Sequence, residues 1–92
     1  GPSITKYELK LETGTRVNKI MSLQDGVKTY NDCIAIKIKS SKYNLLIMEG
    51  HAPLIGEIKG SIEVTLKNDK ITLDNINGYY LNLDNTFKLM LR

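Results

Sequence analysis

The sequence predicts an all-β fold, an antiparallel β-sandwich or flattened barrel of about eight to ten short strands. Three observations carry that expectation. Apolar and polar residues alternate strictly through several segments, among them Tyr7 to Glu12 and Ile62 to Lys67. Turn-forming pairs such as Asp25-Gly26, Asn68-Asp69 and Asp84-Asn85 separate these segments. No stretch repeats its apolar residues at a helical period. Ninety-two residues suffice for one hydrophobic core and not for two. Gly1-Pro2-Ser3 reads as an expression-tag remnant, which leaves residues 4–92 as one domain.

In the first strand Tyr7, Leu9 and Leu11 share the inward face, and Thr13-Gly14-Thr15 ends it in a turn. Arg16 to Leu23 fits neither period and is read as a short irregular strand. Asp25-Gly26 turns it into Val27 to Tyr30, and Asn31-Asp32 breaks the pattern again. In the next strand Ile34, Ile36 and Ile38 face inward, with Lys37 and Lys39 outward. Ser40-Ser41-Lys42 is a polar turn. Tyr43 to Met48 is a continuous apolar run, which predicts burial on both faces or a central place in a sheet. After the Gly50–Gly60 connection, Ile62, Val64 and Leu66 point inward, and so do Ile71 and Leu73. Asn75 to Gly78 makes a bend. Tyr79, Leu81 and Leu83 then share the inward face, and Phe87, Leu89 and Leu91 that of the last strand.

Gly50-His51-Ala52-Pro53-Leu54 interrupts this series with the single histidine and the single internal proline. Gly50 can take backbone angles closed to other residues, and Pro53 fixes its own φ while holding Ala52 extended. A rigid, shaped connection follows, with Leu54 turned back toward the core.

The net charge of +3 lies wholly in the first 40 residues, where seven Lys/Arg meet four Asp/Glu; residues 41–92 hold six of each. Eleven lysines, eleven isoleucines and eight asparagines reflect AT-rich coding sequence rather than chemistry. One histidine and one cysteine cannot build a zinc site of four protein ligands, and no carboxylate cluster replaces them. Phosphate-binding glycine loops and the nucleophile elbow are missing. His51 and Cys33 could form a nucleophile–base pair, but Cys33 fits better as a small buried hydrophobe. His51 reads as a loop residue bonded to neighbouring backbone. No catalytic residue, cofactor or metal is expected. Lys10, Lys37, Lys39 and Lys42 read as a solvated sheet face. Base stacking would need aromatics among them, and only Tyr80, Tyr30 and Tyr43 are candidates.

Leu46 to Leu54 resembles the Gly-Ile-Leu-Pro-Gly-His-Ala-Pro-Leu signature of the epsilon subunit of F-type ATP synthases, the delta subunit in mitochondria. Ile58-Lys59-Gly60, Asn75 to Leu81 and Phe87 to Leu91 stand where that family has its later elements, so the resemblance extends over residues 33–92. It implies that subunit's N-terminal β-sandwich, divergent, with Leu23–Asp32 as an added hairpin. It also implies a non-catalytic central-stalk subunit of a rotary ATPase, serving ATP synthesis and proton transport. The implied partners are a gamma-type stalk subunit, the c-ring, and the catalytic alpha and beta subunits, with no nucleic acid. Contact with the membrane is then only through the complex, on the cytoplasmic side of the cell membrane or the matrix side of the mitochondrial inner membrane. The implied partner-binding residues are Gly50, His51, Ala52, Pro53 and Leu54, together with Ser40, Ser41, Lys42, Tyr43 and Asn44.

Three features depart from that family: the C-terminal helical hairpin is absent, the Ser40–Asn44 turn lacks the family's acid and glycines, and Glu49 replaces the signature's first proline. The alternative is an unrelated β-sandwich or barrel adaptor able to bind single-stranded nucleic acid.

Overall fold

The computed structural model of the protein describes residues 5–11, 21–24 and 27–92. Every element among them is a strand: β1 (Thr5–Leu11), β2 (Met21–Gln24), β3 (Val27–Ser40), β4 (Asn44–Met48), β5 (Leu54–Leu66), β6 (Lys70–Leu83) and β7 (Thr86–Leu91). The expected tag remnant, the Thr13–Thr15 turn and the Asp25-Gly26 turn lie outside the described residues.

The fold is all β, and its sheet closes. Antiparallel pairing runs β1-β7-β6-β5-β3, and β1 then meets β3 in parallel, with Tyr7 opposite Lys28 and Leu11 opposite Cys33. Closure of the five strands into a small barrel leaves none of them as a free edge along its whole length. Among the described residues β2 and β4 pair only with β3, as flaps on the barrel wall.

The described residues form seven strands, fewer and longer than the short ones expected, because three of them bend without ending. β3, β5 and β6 each run 13 or 14 residues. Asp32 (φ 60°) and Asn75 (φ 53°) mark two of the bends, both in the left-handed conformation that these side chains tolerate. At the second, Gly60 pairs with Ile76 and Ile62 with Leu73, so Ser61 faces both Asp74 and Asn75. This bulge shifts the pleat by one residue. Before it Ile71 and Leu73 face the core; after it Ile76, Gly78, Tyr80 and Asn82 do. The expected phase of β6 is therefore inverted: Tyr80 is buried, whereas Tyr79 and Leu83 are exposed. A bulge at Ile34 likewise moves the inward set of β3 to Cys33, Ile36 and Ile38.

The barrel interior holds Leu9, Leu11, Cys33, Ile36, Ile38, Ile47, Ile58, Ile62, Val64, Leu66, Phe87 and Leu89. Phe87 stacks on Tyr80 at 5.4 Å between ring centroids. Asn82 is fully buried beside them, and neither atom of its amide has a partner among the described residues. An orphaned buried amide costs about 1–3 kcal/mol. The apolar run Tyr43 to Met48 is not central. β4 has one neighbour among the described residues, only its Ile47 is fully buried, and Leu46 and Met48 face outward.

Candidate functional site

The Ser40–Asn44 turn joins β3 to β4 and is tied down by β5. Ser40 N donates to Tyr43 O at 2.8 Å, closing the turn. Ser41 N donates to Lys59 O at 3.0 Å, and Lys59 N donates to Ser40 Oγ at 3.0 Å. Tyr43 reaches across, its hydroxyl bonded to Glu57 O and lying 2.7 Å from the Tyr80 hydroxyl. Burial, and then the bond to Tyr43, hold the Tyr80 phenol well above its ordinary pKa. Gly56 makes this arrangement possible, because a Cβ there would lie 2.5 Å from the Tyr80 oxygen.

Between the turn and β5 runs a groove of about 390 Å³, bordered by Ser41, Lys42, Tyr43, Glu57, Lys59 and Asn77. A second depression lies on the outer face of β3 and β4, bordered by Lys37, Lys39, Asn44, Leu45 and Leu46. Both lysines are exposed and alternate with buried isoleucines, so the pleat sets them side by side on one face. Lys37 is paired in register with Glu63, but Glu63 is bridged by Lys70 at 3.4 Å. Lys42 and Lys59 continue the basic strip past the turn. Glu57, Lys59 and Asn77 were not expected at the site. Sequence spacing treats residues 50–60 as a connection, whereas Leu54 onward is already strand and brings them to the turn.

Gly50 to Leu54 lies at the other end of β4. Gly50 has φ 84°, and its N–H donates to Asn85 Oδ1 at 2.7 Å. Asn85 O in turn accepts from Leu11 N at 2.7 Å, so the loop is fastened to the β6–β7 turn and to the end of β1. His51 N donates to Met48 O at 3.1 Å, and Nδ1 lies 2.9 Å from Ala52 O. Ala52 and Pro53 are exposed, and Leu54 packs on the core. The two expected contact segments are thus separated by the length of β4 and do not form one site. Cys33 is fully buried, its Sγ 3.7 Å from Tyr30 O. Among the described residues no group of three or more His, Cys, Asp or Glu could hold a metal ion.

The sequence model of the FtsK alpha domain matches residues 1–46, from Gly1-Pro2-Ser3 through β1, β2 and β3 to the start of β4. The chain belongs to the FtsK alpha domain family. It is also similar to the DNA translocase FtsK of Lactococcus lactis subsp. cremoris (strain MG1363) and of Lactococcus lactis subsp. lactis (strain IL1403). Each is 64% identical over 25 residues, which is 27% of this chain and 3% of the relative. The chain therefore spans a small fraction of the curated relatives it matches. No solved structure matches it.

Membership in this family overturns the resemblance to the ATP synthase epsilon subunit. The role in ATP synthesis and proton transport, the central stalk, the gamma-type subunit, the c-ring and the alpha and beta subunits all fall with it. So does the ground on which nucleic acid was excluded as a partner. The physical cause of the false likeness is local. A Gly-x-x-Pro connection between two strands meets a backbone need, seen here in the positive φ of Gly50, that unrelated β folds share. The family match instead covers the Ser40–Asn44 turn and stops before Gly50.

Proposed function

We propose that this barrel is a non-catalytic module of an FtsK-type translocase that meets DNA through the lysines of β3 and its turn. The observation that carries the reading is the basic strip Lys37, Lys39, Lys42 and Lys59, exposed on one side of the barrel and carried by β3, the Ser40–Asn44 turn and β5, which are bonded to one another. Three of the four lie within the residues matched to the family. The name of the relatives, DNA translocase, agrees with such a partner.

The chemistry favours phosphates over bases. Tyr80 is buried, and the hydroxyl of Tyr43 is engaged with Glu57 and Tyr80, so this face offers little for stacking. Lysines on a sheet surface neutralise backbone charge without reading sequence. The module then contributes grip, and nucleotide hydrolysis belongs elsewhere.

Anisotropy of a short fluorescent duplex tests this. Binding should be independent of sequence and weaken with salt. Lys37→Glu with Lys39→Glu should lower affinity at least about tenfold and flatten the slope of log K against log salt by about 0.9 for each phosphate no longer neutralised. Unchanged affinity and slope in the double variant would overturn the proposal, as would a marked preference for single strands.

A further inference from the structure

The outer face of β5, β6 and β7 adjoins the lysine strip at Lys59 and differs from it in its exposed apolar residues. Its make-up follows from the ladder registers. One cross-strand row reads Lys6, Met90, Tyr79 and Glu57, and the next reads Glu8, Lys88, Leu81 and Ile55. A third carries Lys10, Thr86 and Leu83. Ile55 is 76% exposed, and Leu83, Met90 and Tyr79 are each exposed by about two-fifths or more. Large apolar side chains so exposed and so contiguous mark an interaction surface.

We infer that this face docks an amphipathic helix of a partner protein, whose apolar stripe is flanked by acidic residues. The occupant is a helix because Gly78–Leu83 of β6 and all of β7 are hydrogen-bonded on both sides, and the outer edge of β5 at Glu57 and Lys59 is already bonded to Ser40, Ser41 and Tyr43 of the turn, so little open ladder is left for an added strand. An apolar sheet face of this kind is covered by a helix or by another sheet. Leu83, Leu81 and Tyr79 span about 13 Å along β6, the length of two to three helical turns. That length matches anchors at i, i+3, i+4 and i+7 on the partner.

Charge sets the flank. The β1–β7 side of the face carries Lys6, Lys10 and Lys88 against Glu8, and Arg92 lies over the Tyr79 ring at 4.7 Å. The β5 side carries Glu57, with Lys59 two residues further along the same face, so the net positive charge lies on the β1–β7 side. An acidic row on the partner therefore lies over β1 and β7, and this cationic flank disfavours a basic helix.

Two synthetic helical peptides test the inference, with the same leucine stripe and with either glutamates or lysines beside it. Backbone amide spectra of the protein should shift at Ile55, Tyr79, Leu81 and Met90 on adding the acidic peptide. That peptide should bind about tenfold tighter than its basic twin at low salt, and the gap should shrink as salt rises. Ile55→Glu with Met90→Glu should abolish binding while leaving the melting temperature and duplex affinity unchanged. Lys6→Glu with Lys88→Glu should reverse the preference between the peptides. Equal binding of the two peptides, or shifts elsewhere on the barrel, would overturn the inference. So would sedimentation of the protein alone as a dimer that Ile55→Glu dissolves, because the face would then be covered by a second copy.

Discussion

Tyr80 couples the core to the site more directly than any other residue. Its ring stacks on Phe87 inside the barrel, while its hydroxyl meets Tyr43 at the rim of the groove. Burial disfavours the phenolate, and the bond to Tyr43 adds to that, so the folded chain holds the Tyr80 proton above the ordinary phenol range. An unfolded chain releases it near pH 10. The sign follows from proton counting. Below about pH 10 both states are protonated and the contribution of Tyr80 is intact. Above it the unfolded state loses the proton first, and stability falls until the folded value is reached. Urea unfolding at a series of pH values from about 9 to 12 should show a steeper loss for the native sequence than for Tyr80→Phe. Parallel curves for the two proteins would show that Tyr80 does not titrate on unfolding.

At the scale of the element, the strand bends decide which side chains reach the core. Asn75 stands at φ 53° in the β6 bulge, where asparagine is tolerated and a β-branched residue is strained. Asn75→Val should cost about 1–2 kcal/mol, and Asn75→Gly should stay near the native stability, both read from denaturant midpoints. Equal costs would mean that the backbone there is set by something other than the residue's own conformational preference. The same bulge explains what the sequence could reveal and what it could not. Tyr7, Leu9 and Leu11, Ile62, Val64 and Leu66, and Phe87, Leu89 and Leu91 all face inward as alternation requires, because the extra residues opposite Lys10 and beside Leu66 lie in β3 and not in these stretches. Tyr79 to Leu83 comes out inverted because one extra residue at Asp74–Asn75 resets the pleat, and periodicity cannot count residues opposite a gap. Tyr43 to Met48 looks central by composition but is a flap, because neighbour number depends on the topology of β3. The groove is half legible. Its turn could be seen in Ser40 to Lys42, whereas Glu57, Lys59 and Asn77 arrive only through the long, continuous pairing of β5 with β6.

For the molecule as a whole, the decisive pairing is the one that closes it. β1 is hydrogen-bonded to β7 on one side and to β3 on the other, and the parallel β1–β3 contact joins the first strand to the middle of the chain. A strand held on both sides opens only when the ladders on either hand open with it. β1, β7, and the stretches of β3 and β5 that line the interior therefore form one cooperative unit. β4 is different. Among the described residues its one ladder is with β3 at Ala35 to Lys39, and Leu46 and Met48 gain little from burial. Its hold on the barrel is Ile47, buried in the interior, with Leu45 packed beside it, so it should open at a lower cost than the closed ring of β1, β7, β6, β5 and β3. Native-state hydrogen exchange separates the two behaviours. Amides of Leu9, Val64 and Leu89 should exchange only by global unfolding, with free energies that track denaturant. Amides of β4 should exchange by local opening at a lower and nearly denaturant-independent free energy. Equal protection across both sets would mean that β4 belongs to the barrel's cooperative unit, and that the basic groove beside it is as rigid as the core.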